Sequence, residues 1–212
     1  MRTIMVLNAK GGCGKSTLVT NLASYYASKG NSVALADLDE QGSTMQWLEA
    51  RQDVQPAIQG IAGWDGPVRA PKDADVLLYD TPAAVHGKQL TDLVRRAQTV
   101  VIPVLPSPLD IRAAAHFIGD LLTVGRVSRQ EVKLAVVANR VRENTRVYHR
   151  LYRFLRSLDI PFVGVLRDTQ NYIRAAEYGR GIFEMAPSMV AQDLEQWTPV
   201  VRWLNSKRSQ PE

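Results

Sequence analysis

Residues 10–17 read Lys-Gly-Gly-Cys-Gly-Lys-Ser-Thr and follow directly on the apolar run Thr3-Ile4-Met5-Val6-Leu7. An apolar strand that breaks into a glycine-rich turn and then feeds a helix fits few folds. The glycines let successive backbone N–H groups turn inward around phosphate oxygens. The helix that follows adds its positive N-terminal end. In this pattern Lys15 reaches the β/γ-phosphates and the Ser16 hydroxyl is placed for Mg²⁺. Gly11, Gly12, Cys13, Gly14 and Thr17 complete the phosphate cradle. The general pattern has glycine at position 9, where this chain has Ala9, and a second lysine, Lys10, precedes the glycine pair.

The rest of the chain alternates short apolar runs with helical patterns. Strands are expected at Arg2–Leu7, Ser32–Ala36, Val76–Tyr79, Val100–Leu105 (interrupted by Pro103), Lys133–Ala138 and Phe162–Leu166. Helices are expected at Lys15–Lys29, closed by Gly30, and at Ser43–Arg51, Lys88–Arg96, Ile111–Val124, Thr145–Leu158, Tyr172–Tyr178 and Val190–Asn205. Residues 52–72 hold several glycines and prolines around a short apolar patch at Ala57-Ile58, and read as mostly loop. Such alternation predicts an α/β fold: a three-layer, mostly parallel twisted sheet with helices on both faces. At 212 residues the chain suits a single domain, 1–212. Ligands of such a sheet bind at the carboxyl ends of the strands. The glycine loop, Asp37-Leu38-Asp39-Glu40-Gln41 and Asp80-Thr81-Pro82 all fall there. Asp80, at the end of an apolar strand, has the layout of the Walker B aspartate that holds Mg²⁺.

Lys-Gly-Gly-x-Gly-Lys-Ser/Thr, with its extra lysine, resembles the deviant phosphate loop of the ParA/MinD family of dimeric ATPases. The proline-rich stretch Val101–Asp110 is similar to a box in the small plasmid-partition (ParF-like) members, with carboxysome-positioning members a related possibility. The resemblance implies ATP and Mg²⁺ as cofactors and a homodimer formed with ATP, in which Lys10 touches the partner's nucleotide. It makes Lys10, Lys15 and Asp39 catalytic, with Asp39 positioning the attacking water. Asp37 then braces the loop. Glu40 stands where the family usually has proline. Asn139 and Arg140 resemble the adenine-contacting pair, and the Val165–Asp168 segment resembles a second base-contacting loop through Asp168. The family's behaviour also implies non-specific DNA binding on the nucleoid and a ParB-like or adaptor protein that stimulates hydrolysis. The cargo is then a plasmid, a chromosome region or a protein organelle.

Charge distribution agrees with a polyanionic partner. The formal net charge is +5, and Arg140, Arg142, Arg146, Arg150, Arg153 and Arg156 are met in this stretch by Glu143. At helical spacing Arg142, Arg146, Arg150 and Arg153 share one face, opposite Leu151, Phe154, Leu155 and Leu158. A basic face of that kind suits sequence-independent phosphate contacts, and Arg174 and Arg180 extend it. His86, His116 and His149 are isolated and read as surface or packing residues. The single cysteine excludes an internal disulfide and a cysteine-held cluster. No run approaches the roughly 18 apolar residues of a membrane span. The polar ending Ser-Lys-Arg-Ser-Gln-Pro-Glu lacks an apolar anchor, which disfavours a MinD-like membrane ATPase, the alternative reading. A cytoplasmic protein is expected.

Overall fold

The computed structural model describes residues 1–211. The chain forms β1 (Arg2–Val6), α1 (Lys15–Ser28), β2 (Val33–Asp37), α2 (Ser43–Glu49), β3 (Ile58–Ala62), β4 (Val76–Asp80), α3 (Gly87–Val94) and β5 (Thr99–Val104). Then come α4 (Pro108–Thr123), α5 (Gly125–Ser128), β6 (Lys133–Val141), α6 (Arg146–Ser157), β7 (Phe162–Arg167), α7 (Asn171–Ala176) and α8 (Pro187–Leu204). The strand order is β3-β2-β4-β1-β5-β6-β7, all parallel, which is the α/β class expected from the sequence.

The residues divide into two compact units. The first holds Met1–Val6, Lys15–Pro82 and Thr169–Leu194. Here β2 and β4 are buried along their whole length, as parallel strands covered on both faces must be, and their sequences are accordingly continuous apolar runs. In register, Asp37 pairs with Asp80 and Val6 with Asp80, so the two aspartates emerge side by side at the strand ends. Helix α1 is buried on most of its circumference, with the polar Lys15, Thr20, Asn21 and Ser24 among its buried residues. It ends at Gly30 with φ +82, the left-handed closure expected. A 3₁₀ turn at Ile182–Glu184 is anchored on α1, where the Ile182 N–H donates to Asn21 Oδ1 at 2.7 Å. Arg51 and Glu184 form a bidentate ion pair with both side chains buried.

The second unit holds Leu7–Gly14, Ala83–Asp168 and the stretch from Glu195 on. Pro103 does not interrupt β5 as expected: it pairs with Val137 in the ladder to β6. On its other side the Pro103 carbonyl accepts from the Asn8 side chain at 2.7 Å. The missing proline N–H therefore faces the non-strand segment after β1 and breaks no ladder bond. Helix α4 starts with Ser107 as its cap, accepting from the Asp110 N–H at 3.0 Å, and with Pro108 in its first turn. Thr145 caps α6 in the same way. No helix among the described residues is long and apolar enough to cross a membrane.

Residues 52–72 are mostly loop, as expected, with one exception. They contain β3, which pairs with β2 from Val33↔Ile58 to Asp37↔Ala62. It is an edge strand of five residues, only partly buried, with Gly60 in its middle. A short edge strand needs neither a long apolar run nor strict alternation.

Candidate functional site

The glycine loop is a continuous peptide whose first half, Lys10–Gly14, belongs to the second unit and whose second half starts α1 in the first. In the second unit, the loop is held from beneath by Asn139. The Asn139 side-chain amide, 4% exposed, donates to the Cys13 carbonyl at 2.9 Å. Gly14 has φ +92, and a Cβ at that position would collide with the same amide. Glycine is therefore required there for both reasons. Cys13 is buried, its Sγ donating to the Lys10 carbonyl at 3.2 Å.

The Lys10 side chain does not simply extend into solvent. Its ammonium lies 3.2 Å from Asp110 Oδ2 in the first turn of α4. Asp110 is nearly buried, also bonded by the Ser107 hydroxyl, and its Oδ1 has no partner. Asp110 was visible in the sequence only as the last residue of the proline box. Its tie to Lys10 depends on packing that no local pattern encodes.

In the first unit, Lys15 and Asp80 are buried and Ser16 is half-buried. Burial pushes the Asp80 carboxyl up to about 7, and the neighbouring Asp37 carboxylate pushes the same way; hydrogen bonds from Ser16 and the Thr81 N–H, with the Lys15 charge, only partly offset this. Thr81 turns its hydroxyl to the Val6 carbonyl at 2.8 Å, fixing the strand end. A carboxylate so poorly solvated is a place for a cation. Ser16 and Asp80 offer hard oxygen donors of the kind Mg²⁺ takes alongside phosphate oxygens and water. No cluster of three or more His, Cys, Asp or Glu that could hold a metal ion exists among the described residues.

Asp37 is fully buried and spends its carboxylate on the loop that follows. It accepts from the Thr44 N–H at 2.9 Å, the Thr44 hydroxyl at 2.7 Å and the Asp39 N–H at 3.0 Å. This is the bracing expected of it, and Thr44 is the bracing partner that sequence reading missed. Asp39 is half-buried and accepts from the Gln41 N–H at 3.1 Å, leaving carboxylate capacity toward solvent. Glu40 is exposed.

The other expected residues separate into groups. Arg140 sits at φ +51 in an irregular stretch of β6, exposed, and pairs with Asp168 at 3.5 Å. Arg142 also bonds Asp168, at 2.9 Å, so it stands with Arg140 and Asp168 and not with the helical row. Helix α6 begins only at Arg146, and Arg146, Arg150 and Arg153 are exposed while Leu151 and Leu155 are buried. Arg174 is exposed on α7, whereas Arg180 is half-buried, its carbonyl accepting from the Trp47 indole at 3.1 Å. Both lie in the first unit, and α6 in the second.

A strand end breaking into a glycine loop, a lysine at the start of the next helix and a buried aspartate closing a neighbouring strand place the fold in the phosphate-loop nucleotide-binding class. A family model described as the CobQ/CobB/MinD/ParA nucleotide-binding domain matches residues 4–182. The chain belongs to this family, whose ParA/MinD members are nucleotide-binding ATPases. It is 28% identical over 191 residues to the maintenance of carboxysome distribution protein A of Halothiobacillus neapolitanus, covering 86% of this chain and 87% of that one. Among solved structures, apo McdA from Cyanothece superposes with a TM-score of 0.75 at 12% identity, over 95% of this chain and 99% of the other. A plasmid partition protein from Borrelia burgdorferi bound to AMPPNP superposes with a TM-score of 0.71 at 17% identity, over 95% and 98%.

Proposed function

We propose that residues 1–212 work as one ATPase domain that dimerises around ATP, binds DNA without sequence preference and positions a cargo on the nucleoid. The observation that carries this reading is the pairing of a lysine-bearing glycine loop with two differently treated aspartates. Asp37 is locked by three hydrogen bonds, while Asp39, two residues on, keeps its carboxylate toward solvent. One sets the geometry and the other is left to work.

In this reading the loop N–H groups from Gly11 to Thr17 and the start of α1 hold the phosphates, and Lys15 neutralises the β/γ oxygens. Mg²⁺, held by Ser16 and Asp80, would neutralise charge that develops on the phosphates. Asp39 orients the attacking water. Lys10 leaves Asp110 and reaches the nucleotide of a second copy, so that the site is complete only in the dimer. Asn139 supports the loop from below and, with Arg140 and Asp168, borders the base. The exposed arginines of α6 contact DNA phosphates, with Arg142, Arg174 and Arg180 as outlying contributors. A ParB-like or adaptor protein stimulates hydrolysis and releases the dimer. The similarity to a carboxysome distribution protein makes a protein organelle one cargo, beside a plasmid or a chromosome region.

Asp39→Ala tests the reading directly. The variant retains ATP-dependent dimerisation and turns over ATP at least ~10-fold more slowly, as expected when a positioned catalytic group is removed. Turnover equal to that of the parent chain removes Asp39 from the chemistry.

A further inference from the structure

Two concave basic sites lie at the N-terminal end of β5 and β6, in the second unit. Thr99 pairs with Lys133 where the two strands begin. A 3₁₀ turn at Lys207–Ser209 is pinned there through Ser209, which is fully buried. Its carbonyl accepts from the Thr99 hydroxyl, and its own hydroxyl lies 2.7 Å from the Leu204 carbonyl and 2.8 Å from that of Ser206. The pinned backbone leaves Lys207 and Arg208 exposed beside Lys133, around a cavity of about 400 Å³ completed by Gln210 and Pro211. None of these three cations has a carboxylate partner among the described residues. Lys133 bonds the neutral Gln130 amide at 3.0 Å.

A second cavity, of about 470 Å³, is lined by Arg95, Arg126 and Arg129. The carboxylate in its lining, Glu131, is bonded by Arg126 at 3.0 Å and Arg129 at 2.6 Å, which holds it below the usual carboxylate range. Arg126 also donates to the Arg95 carbonyl. Arg95 in turn lies 3.4 Å from Asp92, so the three guanidinium groups of this cavity are met by two carboxylates.

Helix α6 leads into the same region. It feeds β7, whose Phe162 pairs with Val136 of β6. Its C-terminal end, with Arg153 and Arg156, therefore comes down toward the end of the strands where Lys133 starts β6. From Arg146 to Arg156 the helix rises roughly 15 Å. We propose that these cavities take backbone phosphates of duplex DNA, continuing the contact made along α6. The proposal rests on the DNA-binding reading above. It favours DNA over an acidic peptide because the apolar lining amounts to Pro211 and Val124, which gives a protein partner no aromatic or aliphatic pocket to anchor in. The cations of the first cavity, clustered and without a carboxylate partner among the described residues, are what a phosphate backbone neutralises with release of its counterions.

The region is separate from the glycine loop. The Leu7 N–H donates to the Val101 carbonyl and Asn8 to that of Pro103, so the chain travels along β5 and Lys10–Gly14 lies past its far end, roughly 17 Å away by strand rise. Charge removal at Lys133, Lys207 and Arg208 should leave nucleotide turnover intact.

The test measures binding of the full-length chain with ATP to a short mixed-sequence duplex by fluorescence anisotropy, across a salt series. In K133Q/K207Q/R208Q the slope of log affinity against log salt falls by about 0.9 per lost phosphate contact, so by ~2–3 in all. Affinity at low salt falls at least ~10-fold, while ATP turnover and melting temperature stay at parental values. Lys207→Gln alone, at an exposed position, gives a slope change of ~1. An Arg146, Arg150 and Arg153 to Gln variant is run alongside. If that variant loses DNA while the cavity variants keep the parental slope, the proposal is overturned and the DNA-binding reading stands. If the parent chain ignores duplex DNA, both fall. If the cavity variants lose affinity for pyrophosphate or poly-glutamate and keep it for the duplex, DNA is the wrong ligand and the proposal is overturned.

Discussion

Asp80→Asn makes the nucleotide-free protein more stable, by an amount that grows as pH rises from about 4 to 8. Asp80 is about 1% exposed and its carboxyl sits at about 7 in the fold, against 3.8 for the free side chain. A raised value means that the folded state binds the proton more tightly than the unfolded chain does. Below 3.8 both states are protonated and burial of the group carries no charge penalty. As pH rises, the unfolded chain ionises first, and stability drains away until the folded carboxyl also ionises near 7. The full penalty is about 3 pH units at ~1.4 kcal/mol each, so ~4 kcal/mol. Asparagine keeps the size and an acceptor for Ser16 but never ionises. In urea titrations of metal-free protein with a chelator, the variant should exceed the parent by ~4 kcal/mol at pH 8, by ~2 at pH 5 and by less than ~1 at pH 4. Saturating Mg-ATP should reverse the order at pH 8, because the carboxylate then gains the partner it lacks. A stability gap that is flat with pH, or a variant less stable than the parent at pH 8 without nucleotide, refutes the claim that Asp80 is held at an energetic cost.

Other residues give sharper single outcomes. Glu184→Ala strands the buried Arg51 guanidinium, which also serves the Gly179 and Pro56 carbonyls, and should lower unfolding free energy by ~3–5 kcal/mol in urea; a loss below about 1 kcal/mol would show the pair to be solvated. Gly14→Ala drives a Cβ into the Asn139 amide at a positive φ and should weaken ATP binding at least ~10-fold by calorimetry, a ΔΔG of ~1.4 kcal/mol or more. Parental affinity would mean that the loop relaxes freely. Thr44→Val removes one of the three hydrogen bonds on Asp37 and should cost ~1–3 kcal/mol in stability, with turnover falling more than ATP affinity; an unchanged turnover number would make Thr44 purely structural.

What the sequence disclosed, and what it did not, follows from where the information resides. The glycine loop, the fully buried β2 and β4 and their terminal aspartates are local patterns: an apolar run of strand length leaves no other place for a carboxylate than its end. The cap at Ser107 is local too, yet the sequence reading starts that helix at Ile111 where the structure starts it at Pro108. β3 escaped because an edge strand with Gly60 inside it carries little hydrophobic signal. Pro103 misled because its tolerance depends on what lies beside β5, and the neighbour there is Asn8 and not a strand. The tie between Lys10 and Asp110, 100 positions apart, and that between Asn139 and Cys13, separated by 126, are made by the fold alone. Arg142 was grouped with α6 by helical spacing, yet the helix begins four residues later and Arg142 turns to Asp168. Spacing arguments hold inside an element and fail just outside it.

The central claim is that ATP is clasped between two copies through Lys10. Sedimentation velocity of the Asp39→Ala chain with saturating Mg-ATP and with Mg-ADP, beside the same chain carrying Lys10→Ala, addresses it directly. The account predicts a dimer with ATP, a monomer with ADP, and a monomer in both nucleotides once Lys10 is gone. A chain loaded with ATP that sediments as a monomer, or a dimer indifferent to Lys10, contradicts it.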